Sequence, residues 1–136
     1  LDMAGHLIRR LHQQATQVFV QRTQAAGFDL TPIQFAALDA IHAHPGADQA
    51  RIAEMIAYDR ATFGGVLDRL EQKGWIRRVV SERDRRAREV SLTPSGKRVL
   101  TAVLPVVREV QEEILASLGQ AERASFLDLA RRAVRA

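Results

Sequence analysis

The side chains best equipped for chemistry in this 136-residue chain are arginines. Residues 77–88 hold six of them, Arg77, Arg78, Arg83, Arg85, Arg86 and Arg88, against two acids, Glu82 and Asp84. A guanidinium stays charged, and its planar fork matches a phosphate or the edge of a guanine. Such a group recognises a polyanion rather than making bonds. The formal net charge of the whole chain is +4, and this stretch alone accounts for that much. Positive charge is thus focused on one element, as a nucleic-acid contact requires. A solvated hairpin is the plainer account of the same run. Two smaller groups stand out. His6 and Arg10 are four apart and share a helix face, either as ligand contacts or as a solvated surface. His42 and His44 come just before Pro45. Asp48 and Glu54 are better explained as a cap and a surface charge, so no metal site is expected. The chain has no cysteine, which removes disulfides, thiolate nucleophiles and thiol metal sites. No glycine-rich phosphate loop is present, and no His stands with Ser and Asp in a catalytic arrangement. Neither an enzyme nor a cofactor is expected.

Two helices and a hairpin would have to position the arginines. Asp48 can cap a first helix, in which Ile52, Met55 and Ile56 recur on one face. A turn falls near Ala57-Tyr58. Asp59 can cap a second helix, where Phe63, Val66, Leu67 and Leu70 lie at i, i+3, i+4 and i+7 and form a buried stripe. At 3.6 residues per turn, Ala61, Thr62, Gly65 and Arg69 then point away from it, with Arg60 and Gly64 on the flank. Gly74 suits the position after the helix. This outward face has little bulk to keep it out of a DNA groove. Arg60 could fork onto guanine O6/N7, and Thr62 could touch a thymine methyl or a phosphate. Gly64 and Gly65 each cost about 1 kcal/mol against alanine inside a helix. Close approach to DNA would offset that, and so would close packing on another helix. Trp75–Val80 and Glu89–Leu92 read as two strands, with Val90 and Leu92 turned inward. The arginine-rich segment joins them. A helix-turn-helix followed by a basic hairpin is a winged helix, whose second helix enters the major groove. Its hairpin would carry Arg83, Asp84, Arg85, Arg86 and Arg88 to a neighbouring groove.

Helices are expected on either side of this unit. Residues 4–26 place Leu7, Leu11, Val18 and Phe19 on one face and end at Gly27. Thr31-Pro32 opens a helix with Phe35, Leu38 and Ile41, which stops at His44-Pro45-Gly46. Thr93-Pro94 starts a long helix whose stripe runs from Leu100 through Val103, Leu104, Val107, Val110, Ile114 and Leu115 to Leu118. Pro105 should kink it, because it deletes the bond to the Thr101 carbonyl. After Gly119 a last helix, about 120–135, presents Phe126, Leu129, Ala130 and Val134. The first helix and the last two have apolar faces with no partner in the winged unit. A second copy would cover them, so a two-fold homodimer is expected; an intramolecular three-helix bundle is the alternative. The fold class is mainly α with a small β-hairpin wing, a winged helix-turn-helix plus a helical dimerisation region. One domain spans 1–136, with 1–30 and 93–136 dimerising and 31–92 binding DNA. A dimer would meet a pseudo-palindromic operator at two half-sites about one turn apart.

The string LDRLEQKGWIRRVVSERDRRAREVSLTPSGK, residues 67–97, resembles the winged helix of the MarR family of bacterial transcriptional regulators. RLEQKGWIRR, the wing motif Asp84-Arg85-Arg86 and the helix start Leu92-Thr93-Pro94-Ser95-Gly96 carry the resemblance, which extends to TPIQFAALDAI earlier in the chain. It implies that Asp84 orients Arg86, which enters the minor groove. It implies a small anionic aromatic ligand, bound where the helical region meets the winged unit. The N-terminal stretch Ala4 to Gln13, and Asp59-Arg60-Ala61-Thr62 with Gly64-Gly65, are similar to family members that repress nicotinate catabolism genes. On that likeness Arg10 would pair with the carboxylate of a hydroxylated nicotinate or similar acid, and His6 would bond its ring. Family members that sense peroxide through cysteine are excluded as models, since there is none here. The competing functions are a winged module that clamps an acidic protein, and a regulator that activates or lacks a ligand. Hydrophobic residues make up 46% of the chain, ample for a core, yet no run approaches the roughly 18 residues of a membrane span. No signal peptide is visible, so a cytoplasmic location without membrane contact is expected. The sequence starts at Leu1 rather than methionine, and an N-terminal arm is expected to be missing.

Overall fold

The computed structural model describes residues 1–135 as six helices and one antiparallel hairpin. In chain order these are α1 (Ala4–Ala25), α2 (Pro32–Ala43), α3 (Gln49–Met55), α4 (Arg60–Gln72), β1 (Ile76–Val80), β2 (Arg88–Leu92), α5 (Pro94–Ile114) and α6 (Gln120–Ala133). Most helix starts are chemically explicit. Thr31 and Gln34 form a reciprocal box: the Gln34 N–H donates to Thr31 Oγ1 at 3.2 Å and the Thr31 N–H donates to Gln34 Oε1 at 3.1 Å. Asp48 Oδ1 accepts the Arg51 N–H at 2.8 Å, and Thr93 Oγ1 accepts that of Gly96 at 3.0 Å. Asp59 occupies the cap position of α4 but makes no side-chain cap bond. Thr62 Oγ1 lies 3.2 Å from both its carbonyl oxygen and its Oδ2, so the carboxylate turns toward that hydroxyl instead.

The turn between α3 and α4 is tight. The Tyr58 N–H returns to the Ala53 carbonyl at 2.9 Å, which puts Ala57 in the left-handed region at φ 54°. Burial of Ile52 and Phe63 on either side compensates that strain. In the hairpin Ile76 pairs with Leu92, Arg78 with Val90 and Val80 with Arg88. The Val90 N–H also bonds the Ala47 carbonyl at 3.2 Å, which ties the return strand to the start of α3.

One core runs through the chain. Leu38, Ile52, Phe63, Leu67, Leu70 and Val90 fill the winged half, while Phe19, Val103, Val107 and Val110 join α1 to α5. Each such side chain contributes about 1.5–3 kcal/mol when fully buried. The long helix α5 continues through Pro105, which stands on its exposed side with Thr101, where water can reach the freed carbonyl. Its start is wedged against the hairpin. Thr93 Oγ1 donates to the Gly74 carbonyl at 2.6 Å, and a Cβ on the buried Gly96 would collide with the Trp75 carbonyl. By contrast, α6 has no buried residue, and an intramolecular three-helix bundle does not form. No described helix is long and apolar enough to cross a membrane.

Candidate nucleic-acid interface

Helix α4 buries Phe63, Leu67 and Leu70, and its opposite face is free. Arg60, Ala61, Thr62, Gly65 and Arg69 are exposed, and Gly64 is half-buried. A Cβ at Gly65 would meet nothing within 4 Å, and one at Gly64 would make only an ordinary 3.5 Å contact with Gln49 Nε2. Packing inside this chain therefore requires neither glycine.

The hairpin tip is built by a serine that sequence reasoning passed over. Ser81 is buried, and its Oγ donates to Glu89 Oε1 at 3.3 Å while accepting the N–H groups of Arg83 and Asp84 at 3.2 and 3.4 Å. Asp84 Oδ1 accepts the backbone N–H of Arg86 at 2.9 Å. The aspartate thus orients residue 86 through its main chain, not through the guanidinium. Arg83, Arg85, Arg86 and Arg88 are exposed, and among the described residues none is in an ion pair. Arg60 meets Arg86 and Arg88 at the walls of one open cleft of about 420 Å³. Two acids, Asp48 and Asp84, also line it, and both carboxylates are engaged by backbone N–H groups.

Arg78 behaves differently from the other arginines of the stretch. Its side chain is 14% exposed and turns back onto α4, where Nη2 sits 2.5 Å from Asp68 Oδ1 and 2.9 Å from Glu71 Oε1. The hydrogen bond that the guanidinium donates to Glu71 is the main reason it is held above its ordinary pKa, and the same bond holds Glu71 below the usual carboxylate range. Composition counts Arg78 as wing charge, but tertiary packing neutralises it locally.

Helices on both sides of a wing with this connectivity are shared by known regulators. Residues 28–87 match the family model described as the MarR family. The chain is 35% identical to the HTH-type transcriptional repressor NicR of Pseudomonas putida, over 98% of this chain and 83% of that protein. The chain belongs to the MarR family. Among solved structures it is similar to Bordetella bronchiseptica BpsR, whose DNA binding is regulated by 6-hydroxynicotinic acid, at 28% identity and a TM-score of 0.88, covering 96% of this chain and 92% of that one. It is similar also to the transcriptional repressor CouR bound to a 23-mer DNA duplex, at 27% identity and a TM-score of 0.89, covering 98% and 94%. As a MarR-family member it is a DNA-binding transcriptional regulator and not an enzyme.

In this MarR-family chain a second cavity, of about 240 Å³, opens where α1, α2 and α5 meet. Its walls include Phe19, Phe35, Val107, Val110 and Ile114, with His12, Thr16 and Gln111 as the polar groups. An open groove along α1 shares His12 and Thr16 with it and adds Arg9. His6 and Arg10 line neither. His6 is half-buried, its Nδ1 3.1 Å from Arg9 Nη2, and Arg10 is exposed. The overlooked signal was His12, Thr16 and Phe19, spaced four and three apart on one side of α1. His42 and His44 are both exposed, and no group of three metal-ligating side chains occurs among the described residues.

Proposed function

We propose that the protein is a homodimeric repressor that holds a pseudo-palindromic operator with two copies of α4 and the wing. The observation that carries this reading is the shared cleft, where Arg60 of α4 meets Arg86 and Arg88 of the wing with no acid paired to them. In each half-site Arg60, Ala61, Thr62, Gly64, Gly65 and Arg69 enter the major groove, and Arg83, Arg85, Arg86 and Arg88, shaped by Asp84, follow the adjacent backbone and minor groove. Dimerisation uses 1–30 and 93–136, leaving 31–92 as the DNA-binding part. It is supported by Leu7, Ile8, Leu127 and Leu129, which stand 48%, 65%, 43% and 57% exposed on α1 and α6. Operator DNA places its work in the cytoplasm.

Release comes from a small aromatic carboxylate, of the hydroxylated nicotinate class, in the cavity between α1, α2 and α5. BpsR, whose DNA binding is regulated by 6-hydroxynicotinic acid, supports that class. The apolar walls suit a ring, and His12, Thr16 and Gln111 suit its polar substituents. His6 and Arg10 are contacts to the ligand from the second copy, since the first turns of α1 project beyond the chain's own core. The ligand must favour the state that cannot bind DNA, because only differential affinity shifts the population.

The test is binding to the DNA upstream of the protein's own gene, at two salt concentrations, with and without a panel of aromatic acids that includes nicotinate derivatives. Tight, selective, salt-dependent binding released by one compound is expected. Binding that no compound alters removes the ligand, and no selective binding at either salt removes the regulator.

A further inference from the structure

The flank of α4 that faces the hairpin reads Arg60, Gly64, Asp68 and Glu71, at helical spacings of four, four and three. Its first turn opens into the cleft shared with the wing. Its last turns are occupied by Arg78 of β1, through the two carboxylates at 2.5 and 2.9 Å. Between them Gln49, the first residue of α3, passes over Gly64 and brings its Oε1 to 3.5 Å from Arg78 Nη1. Any side chain larger than a methyl at position 64 would push on that glutamine. Arg78 therefore meets α3, α4 and β1 at once, and its Nε is buried without a partner. A buried ionic group with one donor left open is a poor choice for stability alone.

We infer that Arg78 is a positioning residue for DNA binding, one that sets the angle of the wing to the recognition helix and does not itself touch DNA. The inference rests on the reading of α4 and the wing as the DNA contacts. The lever is long. Each hairpin arm has five residues, so the tip stands about 17 Å from the base at the usual strand rise. A rotation of about 10° at the base would move Arg86 by about 3 Å, far more than the about 0.5 Å that a positioned contact tolerates.

The electrostatic signs separate this from the alternatives. Asp68 and Glu71 lie beside a polyanion site, so as free charges they would repel DNA, and neutralising them would strengthen binding. As halves of a clamp, their loss weakens it. The experiment measures operator and random-duplex affinity across a salt series for the wild-type chain, Arg78→Gln, Arg78→Lys and the double variant Asp68→Asn/Glu71→Gln, with thermal unfolding followed for each. Arg78→Lys keeps the charge but loses the two-pronged fork, so it stays informative if Arg78→Gln fails to fold. The expected result is an operator affinity at least tenfold weaker in every variant that remains folded at the assay temperature, Arg78→Lys included, with the salt slope flattened alike in both Arg78 variants because the displaced wing loses its phosphate contacts. Wild-type affinity and slope in Arg78→Lys, with both lost only in Arg78→Gln, would make the Arg78 charge a phosphate contact and overturn the inference. Unchanged operator affinity in folded variants, or stronger binding by the double variant, would overturn it as well. Failure of the wild-type chain to bind in a salt-dependent way is a different outcome, because it removes the DNA reading itself.

Discussion

Gly65→Ala should move two properties of this protein in opposite directions. Position 65 lies inside the 13-residue helix α4, and a Cβ there meets nothing within 4 Å. Nothing in the chain resists the added methyl. Glycine inside a helix is destabilising by about 0.5–1 kcal/mol against alanine, because its unfolded backbone has more freedom to lose. The fold should gain that amount, and the unfolding midpoint should rise by about 2–5 °C. The same methyl stands on the exposed face with Ala61, Thr62 and Arg69, which is proposed to enter the major groove. Where surfaces pack closely, an extra methyl costs about 1–3 kcal/mol, which is tenfold or more in Kd at the upper part of that range. A dimer meets the penalty at both half-sites. The assays are thermal unfolding by circular dichroism and fluorescence anisotropy on a labelled operator, run on the same preparation. A higher midpoint with unchanged operator affinity would show that this face never approaches DNA closely. A lower midpoint would refute the helix-propensity argument.

Two further outcomes are expected. Arg86→Ala removes one exposed, unpaired guanidinium from each wing. At about 0.9 per phosphate contact, the slope of log K against log salt should flatten by about 1.8 for a dimer, and an unchanged slope would take the wing out of the mechanism. Gly96→Ala drives a methyl into the Trp75 carbonyl at the joint between the hairpin and α5. It should cost at least about 1–3 kcal/mol, and a denaturation midpoint within error of wild type would show that the joint yields easily.

Most of the winged half was legible because its determinants are local. The caps at Thr31, Asp48 and Thr93 act over three residues, and the apolar stripe of α4 follows from helical spacing. The hairpin strands differ from expectation only at their ends: β1 begins at Ile76 rather than Trp75, and β2 at Arg88 rather than Glu89. Asp59 shows where local reasoning fails, since Thr62 offers its carboxylate a competing partner. The cavity between α1, α2 and α5 was less legible. His6 and Arg10 share a helix face, but which turn of α1 borders a cavity depends on where α2 and α5 dock against it.

Patterning within a few residues of chain thus determined the helices, the hairpin and the focusing of positive charge, because turns, caps and amphipathic faces involve neighbours. Only the tertiary structure decided what each arginine does. Arg78 and Arg86 occur in the same basic run, yet one is folded against Asp68 and Glu71 while the other remains in solvent. The physical reason is that an ion pair depends on distance in space, and the docking of β1 on α4 brings together charges that lie seven and ten residues apart in the chain.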